Sequence, residues 1–313
     1  MYYRTRFYEL ISALQKSVRW CEVNASRYFA HQVMEMGLPG AVFKRLILLA
    51  AEDVGLADPL LIVYERRFSD EFEKSIKQKR IKKREAVNFP ELCELVDRAA
   101  IAAGASYKSR LLPMLSFSTL FDIYQNEDFG KTLDEYLNEF VKAIQKRNER
   151  QALYYAYIVD VFIGERDRLL AAIQKHSGRR NEELICLWVE EFKRGNELLV
   201  LAGCVVMLCR DLNYDHGEYS EAISRYLSLP IRRVEIPDRA YDKHTSIGKK
   251  KGRGFNHFFD EAATVKNERF PNKWEKAGRR VYLLANKEGL GKTSKIIEAI
   301  KEKCKEKVPL EKV

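Results

Sequence analysis

The sequence has few of the residues that make tight turns and none of the long apolar runs that mark membrane proteins. Of its 313 residues, only 16 are glycine and 8 are proline, too few for the many turns of an all-β protein, so helices are favoured. The first ten residues contain neither an apolar stretch nor a small-residue cleavage site, which argues against a signal peptide. The longest apolar run, Leu198 to Cys209, is shorter than the roughly twenty residues of a membrane span. It therefore predicts a buried core helix.

The cysteines also lack a pattern that would point to metal binding or to a disulfide framework. No CxxC pair and no other ligand spacing occurs among Cys21, Cys93, Cys186, Cys204, Cys209 and Cys304. Scattered cysteines in apolar surroundings are typical of reduced thiols in a cytoplasmic protein. We therefore expect a cytoplasmic protein with no membrane contact, no metal site and no cofactor.

What the sequence does have is a basic excess confined to one part of the chain. Apolar residues make up 46% and charged residues 32% of the sequence, a globular composition. Residues 1–230 contain 33 basic and 33 acidic residues, whereas residues 231–313 contain 22 and 12. The whole net charge of +10 thus lies after position 230. This asymmetry predicts a polyanionic partner at that end, the alternative being a solvated Lys/Glu-rich surface.

Helical periodicity dominates most of the chain. Apolar residues near the start fall on one helix face, a second helix is expected to be capped by Asn24, and a third is expected to end near Gly55. The charged stretch 60–89 is either an exposed helix or a mobile linker, and Pro90 begins the next helix. Only residues 280–284 form a short strand-like run. The prediction is an all-α fold.

Two short motifs carry a family resemblance. Ser12–Arg19 reads SALQKSVR and Ala50–Pro59 reads AAEDVGLADP. Both, at this separation, resemble the start of the C-terminal helical domain of the replication-associated recombination AAA+ ATPase family, relatives of the bacterial clamp loaders. Trp20 stands where that family has glycine, and Val54 where it has isoleucine. The resemblance covers about residues 10–59.

The resemblance implies a helical oligomerisation collar of the kind that lies beside a separate ATPase module. The matching residues are fold residues, so it implies no catalytic residue for this chain. Only eleven residues precede Ser12, so we expect a collar without its motor: a non-catalytic protein that forms a homo-oligomer or docks on an AAA+ ATPase. The expected regions are a clamp-loader-collar-like segment with a charged linker (1–90), a helical body (91–230) and a basic C-terminal domain (231–313).

The stretch from Asn286 to Thr293 is similar to a phosphate-binding loop, because it follows the strand-like run and precedes an amphipathic helix. Asn286, however, stands where that loop requires glycine. We therefore expect a glycine-containing turn in which Thr293 or Ser294 caps the last helix.

The densest unusual pattern is the basic cluster, residues 241–261, where three glycines alternate with lysines and an arginine ahead of several aromatic residues. Glycines allow close approach to phosphates, cations neutralise them and aromatic rings stack on bases. We expect nucleic acid, DNA rather than RNA, to bind at Lys243, Thr245, Lys249, Lys250, Lys251, Arg253, Phe255 and His257. A secondary basic patch comprises Lys79, Arg80, Lys82, Lys83 and Arg84.

One alternative function belongs to a different class. His244, His257 and Glu261, with Asp260 beside them, would suit a metal-dependent hydrolase or nuclease. His257 and Glu261 are four positions apart and would share a helix face. No HExxH motif is present, and the family resemblance supplies no such chemistry.

Overall fold

Helices are the only regular elements in the part of the chain that the computed structural model describes, which comprises residues 2–126, 129–195, 197–212, 218–269 and 275–307. Across these ranges the backbone makes a single isolated bridge, between Lys108 and Glu268. The predicted all-α fold is confirmed. No described helix is long and apolar enough to cross a membrane.

The α-helices follow one another through short connections. In chain order they are α1 (Tyr2–Arg19), α2 (Val23–Glu35), α3 (Pro39–Leu49), α4 (Leu61–Lys79), α5 (Pro90–Ala105), α6 (Leu111–Gln125), α7 (Leu133–Gln145), α8 (Glu149–Tyr157), α9 (Arg166–Lys175), α10 (Gly178–Gly195), α11 (Leu198–Cys209), α12 (Glu218–Leu227), α13 (Ser246–Lys250), α14 (Phe255–His257), α15 (Glu275–Lys287) and α16 (Thr293–Lys307).

Short π and 3₁₀ turns extend or join several of these helices. They are Ala50–Val54, Gly55–Ala57, Lys83–Asn88, Ile158–Ile163, Asp238–Ala240 and Phe258–Ala262. The first two continue α3 and contain most of the AAEDVGLADP motif. This motif thus ends a helix through a wider π turn followed by a tighter 3₁₀ turn, in keeping with its prediction as a helix end.

The chain divides into two compact units by its contacts. The first unit comprises Met1–Arg110 with Tyr214–Pro271, and the second comprises Leu111–Asn213 with Asn272–Val313. The predicted boundaries at 90 and 230 follow composition, and they differ from this division because α5 packs within the first unit against α2, α4 and α12. α12, which is distant in sequence, thereby packs with the N-terminal helices.

In the first unit, α5 forms the centre of the core. Its alanine-rich stretch, residues 99–103, is fully buried, and small side chains let the neighbouring helices approach closely. The charged stretch after residue 60 is helical, since α4 runs to Lys79 and buries Phe72 and Ile76. Of the two predicted alternatives the exposed helix is right and the linker is wrong, because this apolar face packs on the core.

In the second unit, α6 is the central helix and packs against α8, α11, α15 and α16. The apolar run Leu198–Cys209 coincides with α11 and is buried, which confirms the predicted core helix. A Cβ atom added at Gly203 would lie 2.0 Å from a ring carbon of Trp188 on α10. Glycine is therefore required there for the close approach of α10 and α11.

The strand-like run at residues 280–284 lies within the helix α15. The ring of Tyr282 stacks on Phe117 of α6 with centroids 3.6 Å apart, whereas Leu283 and Leu284 are exposed. The loop from Asn286 therefore follows a helix, which removes the strand–loop–helix setting of a phosphate-binding loop. Thr293 is itself the first residue of α16, so it does not occupy the preceding cap position.

The predicted cap of α2 is also wrong. The helix begins at Val23, with Glu22 at the cap position. The side chain of Asn24 instead donates a hydrogen bond to the carbonyl of Arg232 and accepts one from the Arg232 N–H, each at 3.0 Å. This paired contact ties the segment that follows α12 to the N-terminal helices of the first unit.

Candidate nucleic-acid interface

The basic cluster forms two short helices joined by a glycine-containing turn. Thr245 precedes α13, and its hydroxyl accepts a hydrogen bond from the Gly248 N–H at 3.0 Å while donating to the Asp242 carbonyl. Its side chain is buried. Thr245, predicted as a phosphate contact, therefore uses its hydroxyl as a helix cap.

Gly248 makes a close approach, but to its own chain. A Cβ atom at this position would lie 1.8 Å from the carbonyl oxygen of Asp242. Only glycine lets the first turn of α13 pack against the backbone at Tyr241 and Asp242. This glycine thus positions the lysines that follow it, and its backbone is covered by protein rather than open to a phosphate chain.

The four predicted cations after Gly248 divide into two pairs. Lys249 and Lys250 are exposed on α13, and no acidic partner holds either of them among the described residues. Lys251 donates to the Asp238 carboxylate at 2.6 Å, and Arg253 binds the same carboxylate. Arg253 also donates to the backbone carbonyls of Asp238 and Tyr241, at 2.5 and 2.7 Å. One pair faces solvent and the other is bound by Asp238.

Lys243 lies among the aromatic side chains of the cluster. Its ammonium is 3.2 Å from the ring centroid of Phe255 and 5.0 Å from that of Phe258, which are cation–π contacts. Burial lowers the pKa of Lys243 to about 8, against the opposing charge of Asp242. Phe255, predicted to stack on a base, therefore already presents a ring face to a lysine of its own chain.

The histidines and acids of the alternative hydrolase site come together only in part. His257 Nε2 lies 3.4 Å from the Glu261 carboxylate, as their spacing predicted. His244 instead packs edge-on against Phe258, at a centroid separation of 5.3 Å. Asp260 is exposed. Nowhere in the described ranges do three His, Cys, Asp or Glu side chains converge as metal ligands would.

The basic cluster is attached to α1 by contacts that the sequence did not predict. The Lys16 ammonium lies 2.5 Å from the Asp242 carboxylate, with side chains 2% and 0% exposed. Ser12 donates to the Ala240 carbonyl at 2.7 Å, and Arg19 donates to the Ala262 carbonyl at 3.0 Å. The SALQKSVR motif thus supplies three side chains that bind segment 238–269.

The two motifs of the family resemblance also meet each other. Arg19 lies 2.8 Å from Asp53 and 3.0 Å from Glu52. Arg110 lies 3.4 Å from Asp53 and donates to the Ala263 carbonyl at 2.9 Å. Arg19 and Asp53 are at most 1% exposed. Every member of this largely buried network has an opposite charge beside it, and the role of the motif in the fold stays a prediction.

Trp20, the residue that departs from the family motif, contacts the same segment. The guanidinium of Arg239 lies 4.1 Å and the ammonium of Lys266 lies 4.6 Å from its ring centroid. The Lys266 N–H also donates to the Arg19 carbonyl at 2.9 Å. A glycine at position 20 would offer neither cation a ring.

The secondary basic patch lies at the end of α4 and in the turn after it. Lys79 pairs with Glu91 at 2.6 Å and approaches the ring of Phe89, and Lys83 pairs with Glu73. All five cations are exposed, and Arg80, Lys82 and Arg84 are those for which no ion pair is described. Fewer of its charges are therefore available than the sequence suggested.

In comparisons with known proteins, one short segment of this chain is similar to an ATPase and to replication-associated recombination proteins. A stretch of 53 residues, 17% of this chain, is 49% identical to the ATPase WRNIP1 of Dictyostelium discoideum and covers 6% of that protein. Replication-associated recombination protein A is 38% identical over 52 residues in Bacillus subtilis and 49% identical over 55 residues in Haemophilus influenzae.

Each of these two proteins is matched over 12% of its length by 17% of this chain. The chain thus spans only a small part of the relatives that it matches, and the predicted resemblance of one segment is confirmed at that extent. No family model matches the chain, and no solved structure matches it.

Proposed function

We propose that this chain binds nucleic acid, DNA rather than RNA, through the exposed lysines of its basic cluster, and that it acts beside replication and recombination proteins without catalysing a reaction itself. The observation that carries this proposal is the exposure of Lys249 and Lys250 on α13, which no described acidic side chain binds. They lie in the stretch after residue 230 that holds the whole net charge of +10 and that the two compact units share. A basic region on an otherwise neutral chain attracts a polyanion electrostatically and without sequence preference.

Lys249 and Lys250 are the residues best suited to contact phosphates. Both are exposed on α13, whose start is fixed by the Thr245 cap and by the packing of Gly248. Because Lys251 and Arg253 are bound to Asp238, they contribute less until that carboxylate is displaced. The aromatic rings beside Lys243 then serve chiefly to hold the shape of the basic cluster.

The N-terminal part of the first unit is proposed to mediate self-assembly or docking on an AAA+ ATPase of the replication and repair machinery. The similarity of this segment to the ATPase WRNIP1 and to replication-associated recombination protein A supports the association. Light scattering across a concentration series tests the first possibility. A strict monomer at concentrations of tens of micromolar contradicts self-assembly. A pull-down with candidate ATPases tests the second possibility, docking on an ATPase.

The nucleic-acid proposal is tested by fluorescence anisotropy with labelled single- and double-stranded DNA and RNA over a range of salt concentrations. The variant Lys249→Ala/Lys250→Ala should bind more weakly, and its log–log salt slope should be smaller by about 1.4 to 1.8, the value for two phosphate contacts. The control variant Lys142→Ala/Lys175→Ala loses the same charge from exposed positions on α7 and α9. Equal binding by the two variants contradicts the assignment of the site, and no salt-dependent binding by the parent protein contradicts the proposed function.

A further inference from the structure

A cleft in the second unit lies where the end of α6 faces the start of α8. It encloses about 550 Å³, and its lining includes Asp122, Asn126, Lys131, Arg150, Tyr154 and Tyr155. Clefts of roughly 300 to 1,000 Å³ are the size that holds small ligands in proteins. None of the residues predicted from the sequence to bind a ligand lies here.

One wall of the cleft is aromatic and held in position. Tyr154 and Tyr155 pack edge to face, with ring centroids 5.4 Å apart and planes at 89°. The side-chain amide of Asn126 donates to the Tyr154 hydroxyl, which fixes the ring from its polar end. Tyr154 remains partly exposed whereas Tyr155 is buried. A restrained, accessible tyrosine ring is the kind of surface on which a nucleobase stacks.

Among the described residues that line the cleft, the charged groups are one ion pair and a separate lysine. Arg150 donates two hydrogen bonds to the Asp122 carboxylate, at 2.6 and 2.7 Å, so these two charges balance. Lys131 is exposed, and its ammonium lies 5.5 Å from the ring centroid of Tyr155. The cleft therefore presents a cation beside an aromatic wall, with an arginine a short distance away.

The geometry points to a nucleotide site, in which a base stacks on Tyr154 and its phosphate is bound by Lys131. The volume of the cleft suits a ligand of nucleotide size. The ring of Tyr154 offers a face to the base, and the ammonium of Lys131 offers a positive charge to the phosphate. A free mononucleotide and a single nucleotide of a nucleic-acid strand share this chemistry. The inference concerns the second unit and does not depend on the nucleic-acid contact proposed for the basic cluster.

The test uses the full chain carrying Lys249→Ala and Lys250→Ala, so that the basic cluster contributes little to binding. Saturation-transfer NMR and calorimetry measure the binding of adenosine monophosphate, of ribose 5-phosphate and of a six-nucleotide thymidylate strand. We expect adenosine monophosphate to bind about tenfold more tightly than ribose 5-phosphate, because only the former has a base that stacks on Tyr154. A strand that binds more tightly than the mononucleotide identifies the source as nucleic acid, and the reverse order identifies it as a free nucleotide.

Two substitutions locate the site. Lys131→Glu at an exposed position should leave the fold intact and weaken binding of the mononucleotide about tenfold or more, because it reverses a charge beside the phosphate. Tyr154→Ala should remove the advantage of adenosine monophosphate over ribose 5-phosphate. Lys175→Glu, on α9 and outside the lining, is the matched control. Absence of binding by both nucleotide probes, equal binding of ribose 5-phosphate, or equal effects of Lys131→Glu and Lys175→Glu overturns the inference.

Discussion

The Lys16 ammonium and the Asp242 carboxylate form a buried ion pair across 226 positions of the chain, at a distance of 2.5 Å. Lys16 belongs to the motif that resembles a clamp-loader collar, and Asp242 belongs to the basic cluster. The sequence suggested a neutral assembly region at one end and a basic region at the other. Within the first unit the two are instead packed together, so a change in one is expected to affect the other.

The Lys16–Asp242 pair should be strongly coupled. Asp242→Asn leaves a buried lysine without its counter-charge, a change that costs about 3–5 kcal/mol of unfolding free energy. The double variant Lys16→Met/Asp242→Leu removes both charges and should recover most of that loss. Urea denaturation monitored by circular dichroism measures the differences. Asp238→Asn, at an exposed carboxylate, is the control, and a cost below about 1 kcal/mol for Asp242→Asn contradicts the burial of the pair.

Asp238 should restrain nucleic-acid binding by occupying two cations. In Asp238→Asn, Lys251 and Arg253 lose their carboxylate partner, so affinity for DNA should rise and the log–log salt slope should steepen by about one contact, or 0.7 to 0.9. Glu235→Gln makes the same change of charge at an exposed neighbouring position without releasing either cation. Anisotropy titrations compare the two variants. An increase in DNA affinity no greater than that of Glu235→Gln contradicts the restraint by Asp238.

Gly203→Ala should destabilise the second unit. The new methyl group would overlap the fully buried ring of Trp188, and overpacking of this kind costs about 1–3 kcal/mol, with larger values where neighbours cannot move. Gly254→Ala is the matched control, since a Cβ at Gly254 meets nothing within 4 Å. Thermal unfolding followed by circular dichroism and tryptophan fluorescence distinguishes them. Similar midpoints for both variants would mean that α10 and α11 can separate without cost.

Asp97 should make the first unit sensitive to acid. Although burial opposes it, hydrogen bonds from His31 and Arg27 lower the pKa of this carboxyl below its usual range. A depressed carboxyl pKa contributes stability above the unfolded value near 4, and that contribution is lost as the pH falls through the folded value.

The stability difference between the parent and Asp97→Asn should therefore shrink as the pH falls below about 4. Urea unfolding between pH 2.5 and pH 7 gives this profile. Glu94→Gln, at an exposed position on α5, controls for loss of a charge. A difference that stays constant down to the lowest pH contradicts the role given to Asp97.

The sequence predicted local features better than distant contacts. The all-α class, the core helix at residues 198–209 and the fold role of the motifs follow from composition, hydrophobic periodicity and the motif residues themselves. The run at 280–284 resembles a strand in sequence but is helical, because a short apolar run is compatible with either a strand or a helix. Thr245 carried a signal that was missed, since a threonine directly before a short helix is a typical cap.

The partners of Lys16 and Arg19 could not be predicted in the same way. Asp242 and Ala262 are more than two hundred positions away from them, and no local spacing records such a contact. Asp238 was overlooked because charge counting treats a basic cluster as uniformly available, whereas a single carboxylate within reach of two cations binds both. Among the cations predicted to contact phosphate in this cluster, Lys249 and Lys250 are exposed and have no described acidic partner. Their contact with phosphate stays a prediction.

The position of Trp20 has a consequence for tracing this architecture in other sequences. Arg239 and Lys266 lie against its ring although the three residues stand in different regions of the chain, so we expect them to vary together. Homologues with tryptophan after the SALQKSVR-like motif are expected to retain both cations, whereas those with glycine there are expected to lack segment 238–269 or to attach it differently. A single position in a short motif would then serve as a marker for how the rest of the chain is arranged.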